Sequence, residues 1–224
     1  MPVVAPVSTA LLRNVPLLSL LSDNELALLA RVVTRKSFPR NSQILGAGDP
    51  TDSLYILISG RIKVFMGDLD GKEVILSILG PNEFFGEMGL IDNSPRSANV
   101  VTLEPCELIC ISKPDFKRCL AENLEMAMTV MRGLVKRLRE ADKQIGSLAL
   151  MDVFGRVARL LLETAQDVNG EKVVTKKLSK QDIARMIGAS REMVSRVMKH
   201  LQEAGYIEVR QDAIVIRDSI LLSD

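Results

Sequence analysis

The sequence has few of the side chains that hold metals. One histidine and three cysteines occur in 224 residues, and no pair of cysteines has the Cys-x-x-Cys spacing of zinc or redox sites. Cys106 and Cys110 fall four apart on one face of a strand-like run, where free thiols behave as small hydrophobes, so buried structural cysteines are expected. The sole histidine, His200, has no ligand-bearing neighbour in sequence; no metal site is expected, and an exposed polar side chain or a phosphate contact is its plainer role. Long apolar runs are missing too, since none approaches the ~20 residues that span a bilayer. The N-terminal Met-Pro-Val-Val-Ala-Pro carries no basic region ahead of an apolar core, so a secretory signal is not expected and the cytoplasm is the expected location. Net charge is small as well: a formal +1 says nothing about nucleic acid at the level of the whole chain.

What is present is ordinary in amount and uneven in distribution. Hydrophobic residues at 47% and charged residues at 25% suit one large or two modest globular domains. From Lys172 to Arg217, ten basic residues stand against five acidic ones, and such a local excess suits contact with phosphates. Within that stretch Gly188-Ala-Ser-Arg191-Glu192-Met-Val-Ser-Arg196 reads as a tight turn and a helix. Gly188 can take the positive φ that stops a helix, and Ser190 is a good N-cap. At 3.6 residues per turn Val194, Val197 and Leu201 share an inward face, leaving Arg191, Glu192, Ser195, Arg196 and Lys199 outward. Arginine can grip guanine O6 and N7 with two hydrogen bonds, and glutamate can accept from cytosine N4. The preceding Leu178–Ile187 forms a second short helix, with Ser179 and Asp182 at capping-box spacing and Ile183 and Ile187 facing the same core. Helix, short glycine turn and helix make the helix-turn-helix pattern, whose second helix enters the major groove. Gly205 ends that helix, and Tyr206–Arg210 with Ala213–Ile216 form a hairpin, or wing, around Gln211-Asp212. The residues expected to touch DNA are Ser179, Lys180, Ser190, Arg191, Glu192, Ser195, Arg196 and Lys199.

Three regions precede this module. Residues 14 to 35 look helical, with Ser22-Asp-Asn-Glu25 as a capping box. From Lys36 to Ser112 the texture is β-rich, with runs at Leu54–Ile58, Arg61–Phe65, Val74–Ile78, Asn99–Thr102 and Glu107–Ile111. Turns are supplied by Gly48-Asp49-Pro50, Gly60, Asp70-Gly71 and Gly80-Pro81-Asn82, and many short punctuated strands suggest a barrel or jelly roll. Pro114 opens a helix, and a longer one runs from about Asn123 to Leu148. Its positions Leu124, Met128, Met131, Val135, Leu138, Ile145 and Ala149 follow a heptad seam with one gap at Asp142, as in a helix buried within one chain or one that pairs with its twin. The narrow seam, flanked by Arg132, Lys136, Arg137, Arg139, Glu140 and Lys143, favours a homodimer. A further helix reaches about Gln166, and Asp167-Val-Asn-Gly170 reads as a polar break.

A second chemical constellation lies at Phe84–Ala98. Gly86 and Gly89 let backbone come close to a ligand. Arg96 offers a planar guanidinium suited to phosphate, and Ser97 adds a hydroxyl donor. Glu87 cannot bind phosphate; it can accept from a ribose hydroxyl and hold Arg96 in place. A ligand carrying both a sugar hydroxyl and a charged phosphate fits that mix, and so, read without context, does a surface loop with a salt bridge.

Together these features resemble the family of the cyclic-AMP receptor protein (Crp/Fnr), bacterial transcription regulators, over about 14 to 217. The resemblance implies an α+β chain: an N-terminal cyclic-nucleotide-binding β jelly roll at 14–122, a long dimerisation helix at 123–150 and a C-terminal winged helix-turn-helix at 151–224. It implies that Gly86, Glu87, Arg96 and Ser97 bind the cyclic phosphate and ribose. It also implies that Arg191 and Arg196 read guanines and Glu192 the opposite cytosine of a TGTGA-like half-site, repeated as a palindrome for the dimer on double-stranded DNA. RNA polymerase is an implied partner, with the loops at Asp68–Glu73 and Asp167–Glu171 as exposed candidates. The iron–sulfur branch of the superfamily carries an N-terminal cysteine cluster, which this sequence lacks.

The match breaks on the long helix. A Thr-Ser pair of the cyclic-AMP receptors aligns with Ala141-Asp142, and Arg137 aligns with an arginine close to the ligand. Asp142 either fixes the register of the dimer as a polar core position or reads the base. Two facing carboxylates repel unless something donates to them, and guanine offers N1–H and N2–H side by side. The effector is therefore cyclic AMP or a guanine cyclic nucleotide such as cyclic di-GMP, with a regulator of the same fold acting without a nucleotide as the alternative. No other cofactor is expected. An enzyme acting on cyclic nucleotides is disfavoured, because phosphodiester hydrolysis calls for a metal-bound water or strong base and the chain has one histidine.

Overall fold

The computed structural model describes residues 7–68, 71–175, 178–210 and 213–217. They form two compact units, one reaching to Arg137 and the other beginning at Leu138.

The first unit starts with α1 (Thr9–Arg13) and α2 (Asp23–Val32). The expected helix over 14 to 35 is only partly present. Pro16 has no N–H to continue α1, and 14–21 instead forms turns, with Leu18 N–H donating to the Val15 carbonyl. The capping box at Ser22 and Glu25 is present: Glu25 accepts from the Ser22 backbone at 2.7 Å and Glu25 N–H donates to Ser22 Oγ at 3.3 Å. After α2, residues Thr34 and Arg35 belong to a strand, not to the helix.

The β region follows as β1 (Thr34–Phe38), β2 (Gln43–Leu45), β3 (Ser53–Ser59), β4 (Ile62–Gly67), β5 (Glu73–Leu79), β6 (Phe84–Phe85), helix α3 (Met88–Asp92), β7 (Asn99–Thr102) and β8 (Cys106–Ser112). Two antiparallel four-stranded sheets result, ordered β1-β8-β3-β6 and β2-β7-β4-β5. All five strand runs expected from the sequence are there. Strand β3 is buried on both faces, which explains its unbroken apolar run. Tyr55 and Leu57 enter the core between the sheets with Leu108 and Cys110 of β8, while Leu54 and Ile56 turn to the helices with Ile109 and Ile111. Cys106 and Cys110 share the inter-sheet core as small hydrophobes, as expected.

Helix α4 (Lys113–Glu122) is capped by Ser112 with Pro114 in its first turn, and α5 (Leu124–Leu150) runs across the boundary between the units. Helix α5 has two apolar stripes. Met126, Val130 and Leu134 pack into the helical core of the first unit. Leu124, Met131, Val135, Leu138 and Ile145, which belong to the heptad seam, are exposed.

The second unit holds α6 (Val153–Thr164), β9 (Gln166–Val168), β10 (Glu171–Val174), α7 (Lys180–Ile187), α8 (Arg191–Glu203), β11 (Ile207–Val209) and β12 (Ile214–Ile216). The polar break expected at Asp167–Gly170 is a hairpin turn between β9 and β10, with Asn169 at φ +54° and Gly170 at φ +82°. Two successive left-handed residues match the right-handed twist of the flanking strands. The wing is accordingly part of a four-stranded sheet, β11-β12-β10-β9. Its expected turn at Gln211-Asp212 lies outside the described residues, as do Lys176 and Lys177 of the basic stretch and Asp70 of the Asp70-Gly71 turn. Among the described residues no helix is long and apolar enough to cross a membrane, and no cluster of three or more His, Cys, Asp or Glu could hold a metal ion.

Candidate functional site

The cradle is built where β6 ends. Stacking of Phe85 on Tyr55, with ring centroids 5.4 Å apart, fixes the short β6 on β3. The chain then turns at Gly86, whose φ of +82° suits glycine. A Cβ at Gly86 would lie 2.5 Å from Arg96 Nη1, so the residue also makes room for the guanidinium. Arg96 is buried, and its backbone is locked by the loop at Gly48-Asp49: its N–H donates to the Asp49 carbonyl at 2.9 Å and its carbonyl accepts from Gly48 at 2.8 Å. Its side chain donates through Nη1 to the Gly86 carbonyl at 2.7 Å and through Nη2 to the Ser53 carbonyl at 2.8 Å.

Glu87 is 1% exposed and pairs with Arg137 of α5, Nη1 to Oε1 at 2.5 Å. Arg137 also donates to the Phe84 carbonyl and lies over the Phe84 ring. Gly133 lets α5 come this close, since a Cβ there would sit 2.8 Å from Phe84 Cζ. Two buried side-chain atoms of the cradle have no hydrogen-bond partner among the described residues: Glu87 Oε2, an acceptor, and Arg96 Nε, a donor. A buried polar group without a partner costs roughly 1–3 kcal/mol. A ligand that donates a hydroxyl to one and presents an anionic oxygen to the other satisfies both, so the residues fit a sugar phosphate. Ser97 is exposed, its hydroxyl 3.8 Å from Met88 Sδ.

Two expectations about this loop are corrected. Glu87 does not hold Arg96; it holds Arg137, and backbone carbonyls hold Arg96. The structure gives Gly89 a packing reason in place of the expected one, since a Cβ there would lie 2.2 Å from the Ser94 carbonyl and 2.4 Å from Thr51 Oγ1. The carbonyls of Gly86, Ser53 and Phe84, and the carboxylate of Asp52 near Arg96, were not foreseen. Backbone carbonyls are present at every position and leave no mark on the sequence. Ala141 and Asp142 lie in the second unit, both exposed on α5.

In the second unit Ser179 caps α7, accepting from Asp182 N–H at 3.0 Å. The reciprocal half of the expected box is different: Ser179 Oγ donates to the Asp182 carboxylate at 2.6 Å, because the aspartate is too short to reach the cap backbone. Gly188, at φ +64°, ends α7, and Ser190 caps α8 by accepting from Met193 N–H at 3.2 Å. A Cβ on Gly188 would lie 3.2 Å from Leu148, so the last turns of α5 brace the inter-helix turn. Val194, Met198 and Leu201 form the buried face of α8 with Ile183 and Ile187 of α7. Val197, expected fully inward, is half-buried, and Met198 takes the deeper place.

Arg191, Glu192, Arg196 and Lys199 stand on the exposed face of α8, with Ser195 half-buried among them; Ser179, Lys180 and Ser190 are exposed at the helix starts. Its own backbone N–H and the Ser190 side chain lower the pKa of Glu192, helped by Arg191 and Arg196, so it is a charged acceptor at neutral pH. Arg210 and Arg217 are engaged by Glu171 and Glu208 across the sheet, so this part of the basic excess is neutralised locally. His200 is exposed and edge-on to Phe154.

Residues 35–123 match the cyclic nucleotide-binding domain and residues 155–223 the Crp-like helix-turn-helix domain. The chain is 32% identical over 198 residues to the CRP-like cAMP-activated global transcriptional regulator of Mycobacterium tuberculosis, covering 87% of this chain and 88% of that one. It belongs to the cyclic-AMP receptor protein (Crp/Fnr) family of transcription regulators. The Thermus thermophilus cyclic AMP receptor protein, another Crp/Fnr relative, is 32% identical over 95% of this chain and 97% of its own. Among solved structures, the c-di-GMP responsive global regulator CLP of Xanthomonas campestris superposes with a TM-score of 0.74 at 28% identity, over 87% of this chain and 99% of that one. The Crp/Fnr fold thus accounts for both units: a nucleotide-binding jelly roll and a helix-turn-helix with its sheet.

Proposed function

We propose that this Crp/Fnr regulator is a homodimer that binds a TGTGA-like palindrome when a cyclic nucleotide occupies the cradle. The single observation that carries the nucleotide reading is the buried pair of unsatisfied groups, Glu87 Oε2 and Arg96 Nε. Arg96 and Ser97 take the phosphate, and Glu87 takes a ribose hydroxyl. The exposed seam Met131, Val135, Leu138 and Ile145 supports pairing of α5 with its twin. The exposed Arg191, Glu192 and Arg196 support base reading, and the exposure of Ser179, Lys180, Ser190 and Lys199, with Ser195 half-buried among them, supports phosphate and base contacts by these residues. The ligand acts by differential affinity for two arrangements of the DNA-binding helices. The working division is a sensor at 14–122, a dimer helix at 123–150 and a DNA module at 151–224, in a cytoplasmic, non-enzymatic regulator. Contact with RNA polymerase is proposed through the turn between β9 and β10 or the loop ending at Glu73.

The effector is cyclic AMP or a guanine cyclic nucleotide. Relatives named for response to each support keeping both. Asp142, exposed on the seam side of α5 beside Ala141, favours guanine, whose N1–H and N2–H match a carboxylate. The test is binding to a TGTGA palindrome, titrated with cyclic AMP, cyclic GMP and cyclic di-GMP. A DNA affinity that no nucleotide changes would sink the ligand-gated reading in favour of a regulator acting without an effector.

A further inference from the structure

We propose that Asp52 is a charge filter for the cradle, competing with the ligand's phosphate for Arg96 and so favouring ligands with one phosphate charge over those with two. The inference rests on the nucleotide-binding reading above. Asp52 immediately precedes β3 and is fixed there, its carbonyl accepting from Lys113 N–H at 2.7 Å. The next residue, Ser53, supplies the carbonyl that holds Arg96 Nη2 at 2.8 Å. The Asp52 carboxylate therefore stands beside the guanidinium, Oδ1 3.5 Å from Nη2, at the outer limit of a hydrogen bond. Its side chain is 81% exposed, against 3% for Arg96.

This geometry separates two roles. The carbonyls of Gly86 and Ser53 hold Arg96 in position, so the long and solvated contact to Asp52 is not needed for that. What the carboxylate supplies is negative charge where a phosphate must arrive. Both groups also act on one phenol. Burial is the main cause that pushes Tyr55 up to about 12, Cys110 and Asp52 add to it, and Arg96 opposes it. Around the cradle the cations Arg96 and Arg137 stand beside the anions Glu87 and Asp52, and Lys36 Nζ lies 5.7 Å from the centre of the Tyr55 ring. A singly charged phosphodiester meets the Asp52 carboxylate once. A second phosphate charge is repelled by Asp52 in its turn, and repulsion from an exposed carboxylate is of the size of an exposed ion pair, about threefold in affinity per charge.

The test is calorimetric titration of the full chain and its Asp52→Asn variant with cyclic AMP, which carries one phosphodiester charge, and cyclic di-GMP, which carries two, at low and high salt. Asp52→Asn is expected to bind cyclic AMP about threefold more tightly and cyclic di-GMP about tenfold, with both gains shrinking at high salt. Equal gains, or none, overturn the charge filter. If Arg96→Ala loses binding while Asp52→Asn gains nothing, the filter falls and the nucleotide reading stands. If wild type and Asp52→Asn bind neither nucleotide, both fall.

Discussion

Glu87 and Arg137 are 50 positions apart in sequence and joined by an ion pair of 2.5 Å in which the carboxylate is buried. The pair links the cradle to α5, the helix that also carries the exposed seam. Removing Arg137 alone leaves a buried carboxylate with neither oxygen satisfied by a side chain. Arg137→Met is therefore expected to destabilise the chain by about 3 kcal/mol, and Glu87→Gln added to it should restore much of the loss. Urea unfolding of the two single variants and the double variant measures this coupling.

Gly86→Ala combines a positive φ with a Cβ 2.5 Å from Arg96. The expected cost is about 2 kcal/mol of stability, with loss of nucleotide binding because the guanidinium must move. Thermal unfolding and calorimetry on the same preparation check the two effects, and a stable variant with wild-type affinity contradicts the assignment.

On α8, Arg191→Ala and Arg196→Ala should each weaken binding to the palindrome by about 1–3 kcal/mol and relax preference at one base pair. Lys199→Ala should weaken binding evenly across sequences and lower the salt slope by about one unit. Ser190→Ala, which removes the cap, should cost about 1 kcal/mol of stability. Fluorescence anisotropy against a panel of single-base-pair variants distinguishes the roles.

Val135 lies on the exposed seam of α5 and away from the buried stripe of Met126 and Val130. A Val135→Glu chain should stay folded and sediment as a monomer at concentrations where the wild type is a dimer. Analytical ultracentrifugation decides, and a wild type that is monomeric removes the dimer reading.

The sheet of the DNA module carries a pH dependence. Arg210 chiefly, through a hydrogen bond, and also Arg217 hold the Glu208 carboxyl below its ordinary value. A depressed folded value means the contribution is present above the unfolded value of about 4.3 and is lost as pH falls through the folded one. Thermal unfolding followed from pH 6 to pH 3 should show a shallower acid decline for Glu208→Gln than for wild type.

Local signals proved dependable where one residue type has one job. Gly188 at the end of α7, Ser190 and Ser22 as caps, and Pro114 in the first turn of α4 were all legible, because backbone φ and capping geometry depend on immediate neighbours. The turn at Asn169-Gly170 was equally local, and its Asn-Gly signature went unread as a polar break. Residues 14–21 were misread for the opposite reason: Leu17, Leu18 and Leu21 suit a helix, yet burial in the helical core holds them in turns around Pro16.

The sequence by itself determined the helix-turn-helix, the strand runs, the heptad seam and the residue types of the cradle, because periodicity and capping are written in short windows. Only the tertiary structure decided who pairs with whom. Arg96 lies against the carbonyls of Gly86 and Ser53, and Glu87 against Arg137, since β3, β6 and α5 bring these groups together from separations of up to 50 residues. A carbonyl looks the same at every position in a sequence, and a charge shows no partner until the chain is packed.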